Sequence, residues 1–247
     1  LLIQAGKVDN TRGRIVAAGD ARVTAEALHN GAGLISAKGD LSIDSTGLVD
    51  NSAGLVRAGQ SLNLRAGRVV NTGTLSFDAD GKPKDTGLEG RSVVLTAHQV
   101  DNRQGAIRAV QDLALRADGA LTNDGGELSA GGVLRITGDT APAPTLRITN
   151  QGGQMVADTR AEVRAATLGG AGTLASQGDV VLQLQTLQHL KNTETMLRET
   201  ARVGRMGIVS FPNFAHWPNR LSVLRGRMPV TKALPYQWYD TPNIRVS

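Results

Sequence analysis

The sequence has no cysteine, few aromatic residues and no long apolar run. Without cysteine, a disulfide framework, a thiolate nucleophile and a cysteine metal site are all excluded. Aromatic residues make up 3% of the 247 positions, so the interior must be built from small and aliphatic side chains. The longest clean apolar stretch, at 180–184, is far below the roughly 18 to 20 residues that cross a bilayer, and we expect no membrane span.

Metal and cofactor sites are also not expected. The four histidines share no metal-ligand spacing, and no phosphate-binding glycine loop is present; they are His29, His98, His189 and His216. The chain begins with Leu1 and shows no signal-peptide pattern, so we expect it to be a segment of a longer protein. Its formal charge of +5 suggests a polyanionic partner, depending on where that charge lies.

A repeat of about 20 residues fills most of the chain. Its marker is an asparagine, followed two or three residues later by a glycine. The asparagines are Asn10, Asn30, Asn51, Asn71, Asn102, Asn123 and Asn150, and an eighth unit has Gly170 there. The glycines are Gly13, Gly33, Gly54, Gly73, Gly105, Gly126, Gly153 and Gly172. Two longer gaps contain turn-forming sequences, so we expect loops at 78–90 and 138–144.

Apolar residues recur at four positions of each unit with the alternation of short strands. The position two residues after the glycine holds Ile15, Ile35, Val56, Leu75, Ile107, Leu128, Met155 and Leu174. The next inward position is mostly alanine, with Phe77 and Ser176 as exceptions. A third column runs from Val23 to Leu182, and a fourth, before the asparagine, runs from Val8 to Leu168.

These features predict an all-β fold, a right-handed parallel β-helix of about eight coils over residues 1–186. A unit of this length is too short for a propeller blade, but it fits one rung of a solenoid. Parallel crossovers are almost always right-handed. At about 4.8 Å per rung the rod would be roughly 40 Å long. We expect the asparagines to stack at a bend, where asparagine tolerates a left-handed conformation, and to bond to the asparagine or the backbone of the neighbouring rung.

The recurring pattern N-x-x-G-x-[ILVM]-x-A-x-G-D resembles the haemagglutinin repeats of filamentous-haemagglutinin-like exoproteins, over residues 1 to about 186. The resemblance implies a fibrous protein of the bacterial cell surface, exported by an outer-membrane partner through two-partner secretion. It implies a structural shaft supporting adhesion to host or neighbouring cells. The stalk of a contact-dependent growth inhibition toxin is the alternative. A polysaccharide-acting β-helix enzyme is a weaker one, because we find no defensible carboxylate pair.

Residues 187–247 depart from the repeat. They contain nine Lys and Arg against three Asp and Glu, and six of the seven aromatic residues. The spacing of apolar residues predicts a short amphipathic helix within 186–204. Nucleic-acid binding is not expected, because no recognition module accompanies the basic charge.

Two interpretations of this tail stay open. The first is a cap that packs on the open end of the rod. The second is a contact surface for an acidic glycan or a cell-surface receptor, since aromatic and arginine side chains suit such partners. The candidate contacts are Trp217, Arg220, Arg225, Arg227, Lys232, Tyr236, Trp238 and Tyr239.

Overall fold

The fold is a parallel β-solenoid of about eight turns, seen in a computed structural model that describes residues 1–77, 80, 85–138 and 144–184. No helix occurs among these residues, and their strands form two sheets in which every pairing is parallel. The predicted helix within 186–204 and the whole tail from 187 onward lie outside the described residues.

The long sheet contains twelve strands. They are β1 (Leu2–Asp9), β3 (Ala21–His29), β5 (Leu41–Ser45), β6 (Leu48–Asp50), β8 (Ser61–Val70), β10 (Ser92–Asp101), β12 (Leu113–Thr122), β14 (Val133–Thr137), β15 (Arg147–Thr149), β17 (Arg160–Ala165), β18 (Thr167–Gly169) and β20 (Asp179–Leu184). Its order is β1-β3-β5-β8-β10-β12-β14-β17-β20, while β6, β15 and β18 continue rungs whose long strand is interrupted.

The short sheet contains eight strands, in the order β19-β16-β13-β11-β9-β7-β4-β2. They are β2 (Arg14–Ala17), β4 (Leu34–Ala37), β7 (Leu55–Ala58), β9 (Gly87–Gly90), β11 (Ala106–Ala109), β13 (Glu127–Ala130), β16 (Gln154–Ala157) and β19 (Thr173–Ser176). Each rung therefore runs through a long-sheet strand, an asparagine bend and a short-sheet strand. We number the rungs 1 to 8 by the residue at that bend, from Asn10 to Gly170.

The long strands contain a corner, at which the alternation of inward and outward side chains is interrupted. In β3, Val23 and Ala25 point inward, Glu26 and Ala27 follow on the outside, and Leu28 is buried again. Two consecutive outward residues reverse the phase of a strand whose side chains otherwise alternate. The third and fourth apolar columns therefore face the interior from two differently oriented parts of one strand.

The four apolar columns form ladders in the core, as predicted, except that the first two columns depart from the prediction in rung 4. The third column pairs Val23 with Ile43 and Ile43 with Leu64, and the fourth pairs Leu28 with Val49 and Val49 with Val69. The buried apolar cluster of the described residues consists of alanine, valine, leucine, isoleucine and methionine side chains. An aliphatic interior with an alanine column explains why the repeat has almost no aromatic residues.

Rung 4 corrects the prediction for the first column. Leu75 and Phe77 are expected from sequence to point into the core. In the structure, however, the chain enters the short sheet only after the extra residues that follow Phe77. Leu88 pairs with Val56 and Ile107 and is fully buried, whereas Phe77 is 54% exposed. The strand Gly87–Gly90 thus falls inside the range expected to be loop. The turn composition of 78–90 concealed it, because this strand has glycine at both ends.

The asparagines form one continuous hydrogen-bonded ladder through seven rungs. Each Nδ2 donates to the Oδ1 of the next asparagine at 2.7 to 2.8 Å, and the series ends where Asn150 donates to the carbonyl of Thr173 at 3.1 Å. The side chains are buried, so these bonds satisfy polar groups that water does not reach. The predicted stacking of asparagine is confirmed.

The left-handed residue at the bend is not the asparagine. Positive φ occurs two residues later, at Arg12 (55°), Ala32 (52°), Ala53 (53°) and Gln104 (48°), and at Gly73 in rung 4. The prediction of a left-handed asparagine is therefore wrong. Asparagine is required here for its amide, and the left-handed position accepts several residue types.

The glycine three residues after the asparagine is required for space. An added Cβ at Gly105 would overlap the carbonyl oxygen of Asn71 and the Oδ1 of Asn102. Rung 4 has Thr74 at this place, and Gly73 takes the left-handed position instead. The Thr74 hydroxyl accepts a hydrogen bond from the Ala106 amide at 2.9 Å, which replaces the usual carbonyl acceptor. The repeat glycine thus makes room for the asparagine ladder.

Candidate functional surfaces

A network of alternating charges crosses the outer face of the short sheet. Arg57 donates from Nε and Nη2 to Glu89 at 2.9 and 2.7 Å, and its Nη2 lies 3.1 Å from Asp85. Arg108 lies 3.5 Å from the other oxygen of Glu89 and forms two bonds to Glu127, at 3.1 and 3.0 Å. The register places Arg57, Glu89 and Arg108 in three successive rungs.

Partial burial makes this network more than a set of exposed ion pairs. Burial is the largest single effect on the pKa of the Arg57 and Arg108 guanidiniums and lowers it. The hydrogen bonds and negative charges of Glu89, Asp85 and Glu127 together exceed this effect and hold both pKa values above the usual arginine value. Glu89 and Glu127 both accept hydrogen bonds from guanidinium groups. They are therefore suited to hold the surface of the sheet in place and not to transfer protons.

Sequence reasoning missed this network for a definite reason. Residues 78–90 are expected from sequence to form a loop, which leaves Glu89 outside the predicted strands. Aligning Leu88 with Val56 and Ile107 would have placed Glu89 between Arg57 and Arg108.

The aspartate before the asparagine closes a small turn in several rungs. Asp101 accepts two side-chain bonds from Arg103, at 2.9 and 2.7 Å, and a backbone bond at 3.3 Å. The Arg103 side-chain hydrogen bonds hold the pKa of the Asp101 carboxyl below its usual value, against the opposing effect of burial. In rung 1 the pKa of Asp9 is lowered by the same turn, through the Thr11 hydroxyl.

This turn predicts a pH dependence of stability. A lowered folded-state pKa stabilises the protein above the unfolded-state pKa, about 3.9 for aspartate, and this contribution is lost as the pH falls through the folded-state pKa. We expect Asp101→Asn to lower the free energy of unfolding at pH 7 and to flatten its decline below pH 4. Urea denaturation at several pH values measures both effects.

Arg103→Ala serves as the matched test of this prediction. It should produce the same shallower pH profile, because it removes the donor that shifts the Asp101 pKa. A profile below pH 4 identical to that of the wild type in both variants would contradict the assignment.

The outer face of the long sheet carries two further ion pairs and a contact between a histidine and an aspartate. Arg22 bonds to Asp44 at 2.9 Å, Arg135 to Glu162 at 3.2 Å, and His98 Nδ1 lies 2.7 Å from Asp118. An extra residue in β12 relative to β10 marks a bulge after Ala97. The surface beside it is a shallow depression lined by Arg65, Thr96, His98, Arg116 and Asp118, among others.

The contact residues predicted from sequence all lie in the tail, outside the described residues, so the structure places none of them. Within residues 1–77, 80, 85–138 and 144–184, no three His, Asp or Glu side chains come together as a metal site requires. In the same part of the chain, no helix is long and apolar enough to cross a membrane.

Comparison with known families divides the chain into two parts. The methionine biosynthesis protein MetW family matches residues 173–247. A bifunctional methionine biosynthesis protein MetXA/MetW from Rhodopirellula baltica is 42% identical over 71 residues, which is 28% of this chain and 11% of that protein. The chain therefore corresponds to a small fraction of this relative. A search of solved structures found no match.

The MetW match overlaps the end of the solenoid. In the structure β19 pairs in register with β16, and β20 pairs with β17, so residues 173–176 and 179–184 continue the stack. The same residues open the range matched by the MetW family. The junction between the two sequence types thus lies within the last turn of the solenoid.

The haemagglutinin repeat family matches residues 1–53, 46–82 and 72–154, which together cover more than half of the sequence. These ranges contain the asparagine ladder from Asn10 to Asn150 and the strands on both sides of it. The chain belongs to the haemagglutinin repeat family.

Proposed function

We propose that this chain is part of a secreted bacterial surface exoprotein and that its solenoid is a shaft supporting adhesion to host or neighbouring cells. The observation that carries the proposal is the unbroken asparagine ladder, which ties seven rungs together in register. A solenoid in which each rung contacts only its neighbours is suited to extend a binding region away from a surface. The network of Arg57, Glu89, Arg108 and Glu127 also links successive rungs on the outer face of the short sheet.

Two roles of such a shaft remain to be separated. In an adhesin the shaft presents a binding region, and in a contact-dependent inhibition protein it carries a toxin. Reading the gene beyond the codon of Ser247 distinguishes them, since only the toxin role requires a toxin sequence and a neighbouring immunity gene. For the described residues we propose a non-enzymatic role, because the glutamates of the short-sheet network are held by arginines.

The adhesion role is tested by removing the tail. Cells or beads displaying the full chain should bind target cells, and a chain ending at Gln185 should lose most of this binding if residues 187–247 form the contact region. Equal binding by both forms would contradict a contact role of the tail. Circular dichroism of the shortened chain controls for loss of the solenoid.

A second function is favoured by the MetW match. We propose as the alternative that residues 173–247 are derived from a MetW-like methionine biosynthesis unit. The matched range includes all eight predicted contact residues, from Trp217 to Tyr239. Under this alternative the clustered aromatic residues pack within that unit, and they do not form a glycan surface.

Tryptophan fluorescence separates the two functions. The only tryptophans of the chain, Trp217 and Trp238, both lie in the tail, so the signal reports on it alone. If the tail is a contact surface, its tryptophans are exposed, and we expect red-shifted emission that acrylamide quenches. Binding of an acidic glycan should then reduce the quenching by acrylamide. A MetW-like packed unit predicts blue-shifted emission and weak quenching without any ligand. Substituting either tryptophan should then reduce resistance to proteolysis.

A further inference from the structure

Rung 2 has the only Asn-Gly sequence of the chain, and its asparagine belongs to the ladder. In such a sequence the backbone nitrogen of the glycine can attack the side-chain amide carbon of the asparagine, because glycine has no Cβ to obstruct the approach. Asn30 and Gly31 are therefore the pair best suited to intramolecular deamidation. The residues that follow the seven ladder asparagines are Thr11, Gly31, Ser52, Thr72, Arg103, Asp124 and Gln151.

The attacking amide lies near the surface of rung 2, since Gly31 is partly exposed. In rungs 1, 3 and 5 the amide at this position donates to the aspartate that precedes the asparagine, at 3.1, 3.0 and 3.3 Å. Rung 2 has His29 in place of that aspartate. Rung 2 therefore lacks the carboxylate that holds this amide in the other three rungs.

The group under attack is buried and held by hydrogen bonds. Asn30 is fully buried, its Oδ1 accepts from Asn10 at 2.7 Å, and its Nδ2 donates to Asn51 at 2.7 Å. Nδ2 also lies within hydrogen-bond distance of two backbone carbonyls. Attack requires the side-chain carbon to meet the Gly31 nitrogen in a five-membered ring, whereas these bonds hold the amide in the ladder. The reaction therefore requires rung 2 to open.

We propose that Asn30 is a modification site guarded by the ladder, which deamidates when rung 2 opens and is protected while rung 2 is closed. The Gly31 nitrogen loses its proton and bonds to Asn30 Cγ, the bond from Cγ to Nδ2 breaks, and ammonia leaves with that proton. Water then opens the cyclic imide at either carbonyl and leaves aspartate or isoaspartate. These steps need no oxidant or reductant.

The product cannot rejoin the ladder. A carboxylate at residue 30 has no hydrogen to donate to Asn51 Oδ1, and it would place a charge at a fully buried position. An isoaspartate adds a carbon to the backbone and shifts the following residues of rung 2 out of register. Deamidation thus makes a transient opening permanent. This inference goes beyond the shaft role, which requires only a closed ladder.

The test incubates the full chain in mildly alkaline buffer made with water labelled with heavy oxygen, with and without guanidinium chloride. Peptide mass spectrometry then measures deamidation at each asparagine. In denaturant, Asn30 should react several-fold faster than Asn51, which precedes Ser52. In native buffer, Asn30 should react at least about tenfold more slowly than in denaturant, because only open molecules react. After removal of denaturant, chains modified at Asn30 should remain sensitive to protease.

Gly31→Ser is the matched control, because it gives rung 2 the Asn-Ser sequence of rung 3. An added Cβ at Gly31 would meet only Thr11 Cγ2 at 3.9 Å and the Ser52 carbonyl oxygen at 4.0 Å, apart from its chain neighbours. This variant should keep the wild-type circular dichroism spectrum and react at Asn30 no faster than at Asn51. Asn10→Ala, which removes the donor to Asn30 Oδ1, should accelerate the reaction in native buffer.

Three results would overturn the proposal. The first is an equal rate at Asn30 in native buffer and in denaturant, or an unchanged native rate in Asn10→Ala. The second is a rate at Asn30 no faster than that at Asn51 in denaturant. The third is refolding of the modified chain to wild-type stability.

Discussion

Replacing Asn102 with alanine is expected to lower the free energy of unfolding by about 3 kcal/mol, since several buried polar groups lose their partners together. Asn102 is fully buried and accepts a hydrogen bond from Asn71 at 2.8 Å. Its Nδ2 donates to Asn123 at 2.7 Å and lies within hydrogen-bond distance of the carbonyls of Gly105 and Glu127. Urea denaturation measures the change.

The control for Asn102→Ala is Asn63→Ala. Asn63 lies on the outer face of β8 and is exposed, so its loss should change stability by less than about 0.5 kcal/mol. If the two substitutions have equal effects, the ladder does not stabilise the solenoid. Asn102→Asp provides a further comparison, because a carboxylate keeps the shape but removes the donors to Asn123.

Replacing Gly105 with alanine should be at least as damaging, costing about 3 kcal/mol or more, because overpacking against backbone has no flexible side chain to absorb it. The new Cβ would overlap the Asn71 carbonyl oxygen, which belongs to the neighbouring rung. Separating the two rungs would break the ladder at the same place. Thermal and urea unfolding both report the loss.

Two other glycines provide graded controls for Gly105→Ala. A Cβ at Gly19 meets nothing within 4 Å, and this glycine does not have positive φ, so alanine should be neutral within about 0.5 kcal/mol. Gly73 is also uncrowded but has φ of +66°, so alanine there should cost about 1 kcal/mol for the left-handed conformation alone. A cost at Gly105 no larger than that at Gly73 would refute the close-approach explanation.

The sequence was sufficient to predict the solenoid because its signals are repeated. Each apolar column and each asparagine recurs about every 20 residues, and a strand assigned in one rung predicts its neighbours. In-register stacking then follows, since a slip by one residue would turn Val23 or Ile43 outward. The ladder from Asn10 to Asn150 follows in turn from the stacking.

The sequence-based predictions are wrong where the repeat is interrupted and where the backbone conformation depends on contacts between rungs. In rung 4 the insertion separates Asn71 from Leu88, and proximity in sequence favoured Leu75 over the residue that reaches the core. The left-handed position could not be located from composition. It is occupied by Arg12, Ala32 and Gln104, and not by the glycine or asparagine that usually adopts positive φ. There the backbone is held by hydrogen bonds between rungs, such as that from the Ala32 amide to the Ser52 carbonyl.

The surface features were the least predictable. The Arg57, Glu89 and Arg108 network joins residues that lie 19 to 32 positions apart in sequence. Such pairs become neighbours only when the register is known at each insertion. The tail was interpreted from composition alone, and its likeness to MetW proteins depends on residue order, which composition does not capture.

The central claim, an in-register parallel solenoid, is tested most directly by the distance between spin labels on one outward column. The chain has no cysteine, so Val16→Cys/Val156→Cys can be labelled selectively. These positions are 140 residues apart but six rungs apart in register, and we predict a narrow distribution near 29 Å, with Ser36→Cys/Val156→Cys shorter by about 5 Å. A broad distribution, or distances that do not change by one rung spacing, would contradict the fold.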